Sequence, residues 1–413
     1  MKEYSPFTPG NPVPLEFFVG REKQINEIIR YANQSTRGKL ENVFLSGDRG
    51  IGKSSLATFC RYLLQENEDF LTAHVFLGGT ETLTELVRRV FEVIYKDYNK
   101  KSWFKKITNF FDDHVQKVGI FSIDVTFHPP EKKLAELVNY FPDALYNITE
   151  KIKEDKKALF IILDDINGFC KRPDFSNWYK SFVDSVAVHQ LKFPVFFMLI
   201  GLPEIRDALS EHQPSLLRIF RVIEIENLGD SEVRRFFEKA FDSVQMKIEP
   251  DALNIMTALS NGLPILMHEI GDAVFWNAND HTVNRENVIS GILEAADRIG
   301  KKYLDPKIYR AIRSEKYRTI LRKIGEVIQA EFHKRDILNQ LNLKEQKVFG
   351  NFLNRMTELG MIVKDIEKGR GYYKFVNKLY PIYIWLESEG FKKKTKQVSD
   401  GVRRTPNGVI EAK

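Results

Sequence analysis

At 413 residues the chain is long enough for two or three domains, each with its own hydrophobic core. An apolar fraction of 43% with 12% aromatics excludes a wholly disordered chain, and no apolar run reaches the length of a membrane span. The net charge of +6 hides a split: residues 301–413 carry 26 Lys and Arg against 13 Asp and Glu, a net +13, whereas residues 1–300 carry 36 against 43, a net −7. A C-terminal third this basic suits a polyanion such as nucleic acid; the other reading is a solubilising lysine-rich surface.

In chain order, residues 1–15, with four prolines, read as an extended arm. After "FFVGRE" a helical pattern, "KQINEIIRYA", opens an alternation of apolar runs and helices. The runs are "NVFLS" (42–46), "LTAHVFL" (71–77), "ALFIILDD" (158–165), "FPVFFMLIG" (193–201) and "RVIEIENL" (221–228). That alternation predicts an α/β core with a mostly parallel sheet over residues 16–228. The segment 103–133 interrupts it, and its "GIFSIDVTF" reads as a strand or half-hairpin. Residues 229–300 are helical throughout, a small all-α unit. Residues 301–390 read as three helices followed by two strands around Gly369-Arg370-Gly371, the composition of a winged helix-turn-helix. The basic tail, 391–413, reads as flexible.

The chemistry concentrates at Gly47-Asp48-Arg49-Gly50-Ile51-Gly52-Lys53-Ser54, which fits G-x-x-x-x-G-K-[ST] between a predicted strand and a predicted helix. The glycines let successive backbone N–H groups converge on phosphate oxygens, and the helix N-terminus, including Ser55, adds partial positive charge. Lys53 would reach the β- and γ-phosphates of ATP, and the Ser54 hydroxyl would hold Mg2+. Such a loop needs a carboxylate at the end of a neighbouring strand. "ALFIILDD" supplies Asp164 for Mg2+ and Asp165 to orient or deprotonate the attacking water.

Together these motifs resemble the AAA+ ATPases close to the archaeal origin-recognition initiators, with features shared by the P-loop signalling ATPases called STAND; the likeness spans about residues 16–390. The resemblance implies a P-loop NTPase core of AAA+ type with an all-α lid and a C-terminal winged helix. It implies that the backbone around Phe18, Val19 and Gly20 lies against the adenine, with Arg21 nearby. An arginine before the last core strand, here Arg218 with Arg221 in reserve, would complete a neighbouring subunit's site, so that hydrolysis needs a homo-oligomer. A surface ion pair is the other reading of either arginine. "NGLPILMHEI" matches the Gly-x-Pro element of STAND lids, placing Pro264 on the adenine; a plain helix start is the alternative.

Two departures from the family are visible. His268 stands where many of these ATPases carry a lid arginine, and a core or capping histidine is its other reading. The fourth strand ends in "LIGLPEIRDAL", as in transposition-helper and secretion-associated ATPases, rather than in the Asn or Thr that senses the γ-phosphate. Both favour slow turnover and a switch driven by binding.

In "KEQKVFGNFLNRMTELG" one helical face is apolar; the other offers Lys344, Lys347, Asn351, Asn354 and Arg355 to a DNA major groove. Lys368 and Arg370 on the wing would reach phosphate or minor groove. Winged helices also serve as protein-docking modules, so a protein partner stays open. Cys60 and Cys170 form no CxxC spacing and, with no secretory segment after Met1, fit a cytoplasmic setting. The histidines show no zinc-ligand spacing, and no GxSxG nucleophile motif occurs. The expectation is an ATP-dependent switch acting on DNA in replication, transposition or defence, or alternatively a STAND-like signalling ATPase.

Overall fold

The computed structural model describes residues 2–67, 69–98, 131–188, 192–278, 281–309, 312, 314–326, 330–388, 402–404 and 410–412. The strand expected in "GIFSIDVTF" and most of the insertion around it lie outside these residues, as does most of the basic tail. From the tail, Val402–Arg404 and Ile410–Ala412 pair antiparallel. The chain divides into two compact units: Pro12–Leu228, and Gly229 onward together with the N-terminal segment through Asn11.

In the first unit the helices are α1 (Glu22–Ser35), α2 (Lys53–Glu66), α3 (Leu83–Tyr98), α4 (Glu131–Asn139), α5 (Phe141–Ile152), α6 (Asp174–Val188), α7 (Pro203–His212) and the single turn α8 (Leu216–Ile219). They surround strands β1 (Glu41–Ser46), β2 (Phe70–Phe76), β3 (Ala158–Asp164), β4 (Val195–Gly201) and β5 (Arg221–Glu224), all parallel, in the order β2-β3-β4-β1-β5. The five apolar runs are these strands. β3 and β4 are buried along their whole length because helices cover both faces of the sheet, which is why they read as continuous rather than alternating apolar runs. One face carries Leu71, Ala73, Val75, Leu159, Ile161, Leu163 and Phe197, packed against residues of α3, α5 and α6 such as Phe91, Phe141, Tyr179 and Phe182. Each of the Val, Leu, Ile and Phe side chains among them contributes roughly 1.5–3 kcal/mol of burial. α2 packs on β2 and β3.

In the second unit, α9 (Asp230–Asp242), α10 (Pro250–Ser260), α11 (Pro264–Asn277) and α12 (Arg285–Ile299) pack around two short strands, β6 (Lys247–Ile248) and β7 (Thr282–Val283). The N-terminal arm belongs here. Phe7 is 3% exposed, its ring 5.0 Å from Phe241 and 5.9 Å from Phe236. Gly271 makes that seat possible, since any Cβ there would collide with the Phe7 ring. Thr8 N–H donates to His268 Nδ1 at 3.0 Å, and Lys2 Nζ donates to the carbonyls of Phe275 and Ala278 at the end of α11.

The chain leaves α12 through a π-helical stretch, Gly300–Tyr309. There follow α13 (Glu315–Gly325), β8 (Glu331–His333), α14 (Lys334–Gln340), α15 (Leu343–Glu358), β9 (Ile362–Lys364) and β10 (Tyr372–Phe375). The sheet order is β8-β10-β9, antiparallel throughout. The three helices and the strands β9 and β10 lie where the sequence places three helices and two strands, with β8 as a third strand that the three residues "EFH" are too short to announce. α15 starts at a capping box: Asn342 Oδ1 accepts from Glu345 N–H at 3.0 Å, and Glu345 Oε2 accepts from Asn342 N–H at 2.9 Å.

Candidate nucleotide site

The parallel sheet brings the C-terminal ends of β1, β3 and β4 side by side, where ligands bind in open α/β sheets. Ser46, the last residue of β1, lies opposite Gly201 of β4, and Asp164, the last of β3, lies opposite Ile200. The loop Gly47–Gly52 leaves β1 and enters α2 at Lys53. Gly52 turns the chain at φ +93°, a left-handed conformation that a side chain would strain. Asp48, Arg49 and Gly50 are exposed, Ile51 is buried, and Ser54 and Ser55 are half-buried in the first turn of α2. Lys53 Nζ folds back on the loop, donating to Gly47 O at 2.6 Å and Asp48 O at 2.8 Å. Burial pushes its pKa down, opposed by the carboxylates of Asp164, Asp48, Asp165 and Glu204.

Segment 13–21 wraps this loop. Val13 N–H donates to Ser55 Oγ at 3.3 Å, and Phe18 stacks on Phe59 of α2 at 4.3 Å. Arg21 adopts φ +67° and is buried; its guanidinium donates to the carbonyl of Ile51 within the loop, at 3.3 Å, and to that of Glu226 at 2.5 Å. Arg21 is thus a brace between the phosphate loop and the strand exit after β5. Val19 is half-buried and Gly20 buried beside it.

The two aspartates differ sharply. Asp164 is 3% exposed, with Oδ2 3.0 Å from His74 Nε2. Asp165 is exposed, and its backbone sits at φ +60°, a strained position of the kind that collects at functional sites. Asn167 Nδ2 donates to Asp165 Oδ1, and a Cβ at Gly78 would stand 3.0 Å from Oδ2. Gly168 packs so close to Thr80 that a Cβ there would strike the Thr80 carbonyl. Turn 78–81 therefore presses on the loop that carries Asp165. A hydroxyl and a carboxylate are hard oxygen donors, the set that Mg2+ takes, and Ser54 and Asp164 are the residues that would hold it.

The remaining expected residues fall as follows. Arg218 is exposed on α8. Arg221, at the start of β5, has its guanidinium 6.0 Å from the Tyr31 ring and influences Glu41, which lies at the opposite end of the sheet from the loop. Pro264 occupies the first position of α11, in the second unit. His268 is 6% exposed, and burial pushes its pKa down to about 4, so it is a neutral acceptor for the arm rather than a lid cation. Lys344, Lys347, Asn351, Asn354 and Arg355 are all exposed along α15, and Lys368 and Arg370 on the wing. Arg355 pairs with Glu358 at 3.0 Å, and Lys368 with Glu331. Asn351, Asn354, Arg355 and Glu358 line a groove with Ile312, Ser314 and Tyr317.

Sequence reasoning missed two site residues. Glu204, second residue of α7, adds to the carboxylate field at Lys53. His74 was one of eight scattered histidines until the β2–β3 register placed it against Asp164.

Sheet order, phosphate loop and paired aspartates define the class: Pro12–Leu228 has a P-loop fold of the AAA+ type. Residues 18–180 match the AAA ATPase domain family. Across nearly the whole length, the chain is 22% identical to an uncharacterized HTH-type transcriptional regulator of Methanocaldococcus jannaschii, covering 94% of each protein. In fold it is similar to the Walker-type ATPase of Pyrococcus abyssi (TM-score 0.56, 18% identity, 89% of this chain and 96% of that one). It is equally similar to the Aeropyrum pernix ORC2 protein, solved in ADPNP–ADP complexes (TM-score 0.55, 13% identity, 94% and 96%). The chain's AAA+ fold is thus close to the archaeal origin-recognition type. Among the described residues no helix is long and apolar enough to cross a membrane.

Proposed function

We propose that this chain is an ATP-binding and ATP-hydrolysing switch that grips double-stranded DNA through its C-terminal helix and wing, and that it loads or regulates a DNA-processing machine. The observation that carries this is the convergence of Lys53, Ser54, Asp164 and Asp165 at one end of the sheet, in a chain that also presents an exposed basic helix. In this reading the N–H groups of Gly47–Ser55 cradle the phosphates, Lys53 leaves its carbonyl partners for the β- and γ-oxygens, and Asp165 orients the attacking water. Bound Mg2+, held through Ser54 and Asp164, supplies charge neutralisation at those oxygens. Arg218, exposed on α8, is the group offered to a neighbouring copy, so turnover depends on oligomerisation; the histidine in place of a lid arginine and the fourth strand's ending favour slow turnover. Support for DNA comes from the net +13 of residues 301–413 and from a relative named an HTH-type regulator. A cytoplasmic setting agrees with this role.

A second reading has its own observation. Leu343, Ile366 and Val376 are exposed apolar side chains around the helix and wing, Ile366 to 90%. They favour a protein contact, as in a STAND-like signalling ATPase. ATP turnover with and without duplex DNA, at low and physiological salt, separates the two, with Lys53→Ala as the blank. Stimulation by DNA that is lost in Arg218→Ala supports the first reading. Turnover indifferent to DNA, with no salt-dependent binding, overturns it in favour of a protein trigger.

A further inference from the structure

His74 interrupts a strand whose neighbours are Phe70, Leu71, Ala73 and Val75. β2 and β3 run parallel with His74 opposite Ile162 and Phe76 opposite Asp164. Residues two apart on a strand share a face, so His74, Phe76 and Asp164 point to the same side of the sheet. That side also bears Thr72, whose hydroxyl accepts from Arg61 Nε of α2 at 3.1 Å. The imidazole therefore lies on the face covered by the helix that begins at Lys53, with 6% of the residue exposed. Phe76 stacks on it at 4.3 Å and, being more than half exposed, stands between His74 and solvent.

An imidazole in an apolar strand interior is costly unless its polar atoms are matched. Its match here is Asp164 Oδ2, at 3.0 Å. An ionised carboxylate only accepts, so Nε2–H is the donor. That bond fixes the rotation of the carboxyl group about Cβ–Cγ and occupies one oxygen, leaving the other for a cation or its water. Carboxylate ligands oriented in this way lose roughly 10–100-fold in metal affinity when the orienting partner is removed.

We propose that His74 is a positioning residue for Asp164 and that it sets how tightly the phosphate site holds Mg2+. The inference rests on the reading of Asp164 as the metal carboxylate. Its test is the Mg2+ dependence of fluorescent ATP-analogue binding to the full chain, without turnover, beside binding in EDTA. Mn2+ binding to the nucleotide complex, followed by electron paramagnetic resonance, gives a second readout. His74→Leu should need roughly 10–100-fold more Mg2+ for its half-maximal effect, while binding in EDTA and the circular dichroism spectrum stay as in the parent. His74→Gln, which keeps an N–H donor, should recover much of the loss, a recovery that a packing role would not produce. If His74→Leu does not fold, His74→Asn, whose shorter amide falls short of Asp164, takes its place. An unchanged Mg2+ midpoint in a folded His74→Leu or His74→Asn overturns the proposal. An unchanged midpoint in Asp164→Asn overturns the metal reading beneath it, and the proposal falls with that reading.

Discussion

Acidification should release the N-terminal arm from the helical lid, because the acceptor that holds it is a buried imidazole. Thr8 N–H donates to His268 Nδ1, which accepts only while that nitrogen is unprotonated. Burial pushes the His268 pKa from its ordinary 6.5 down to about 4; Asp272, the one opposing influence, is itself held by Arg298 at 2.7 Å. The folded pKa lies below the unfolded one, so the unfolded state takes up the proton first as pH falls. Stability is therefore fully present above about pH 6.5 and is lost progressively toward pH 4. Between pH 7 and pH 5 the loss comes to about 2 kcal/mol. Hydrogen exchange of residues 2–11 at the two pH values, corrected for intrinsic rate, reads this directly, since the Thr8 amide is the donor. The arm should exchange about 30-fold faster at pH 5 if its opening carries the whole loss. His268→Asn, which keeps an acceptor but does not titrate, should abolish the pH dependence. Equal protection of the wild-type arm at both pH values, or an undiminished pH effect in His268→Asn, would refute the argument.

Phe7→Ala should destabilise the second unit by roughly 3–5 kcal/mol, the cost of emptying a buried aromatic seat, measured by urea unfolding of the full chain. Gly271→Ala should expel the same ring and expose the arm to limited proteolysis while leaving ATP-analogue binding unchanged. Lys53→Ala should abolish that binding, read by fluorescence anisotropy. Replacing Lys344 and Lys347 together by Ala should weaken DNA binding across all sequences and lower the slope of log affinity against log salt by up to about 2; an unchanged slope would place DNA elsewhere.

What the sequence made legible follows the range of each interaction. The five strands announce themselves because full burial under helices requires unbroken apolar runs, and the phosphate loop because its glycines and Lys53 act through the local backbone. Asp164 and Asp165 are adjacent in sequence and end a strand, so they could be found by motif; that one is buried and the other exposed and strained could not. His74 carried no signal, since 90 residues separate it from Asp164 and only the β2–β3 register joins them. Phe7 and Gly271 are likewise silent apart, a proline-flanked aromatic and a mid-helix glycine that explain each other only once the arm is docked. Arg218 and Arg221 show the same limit in reverse. Three residues apart, they are candidates for one role on paper, Arg218 first and Arg221 in reserve, yet the start of β5 ties Arg221 to Tyr31 and the Glu41 end of the sheet. Arg218, three residues earlier on its own short helix, is exposed. That difference in setting comes from the geometry of an edge strand rather than from any property of arginine.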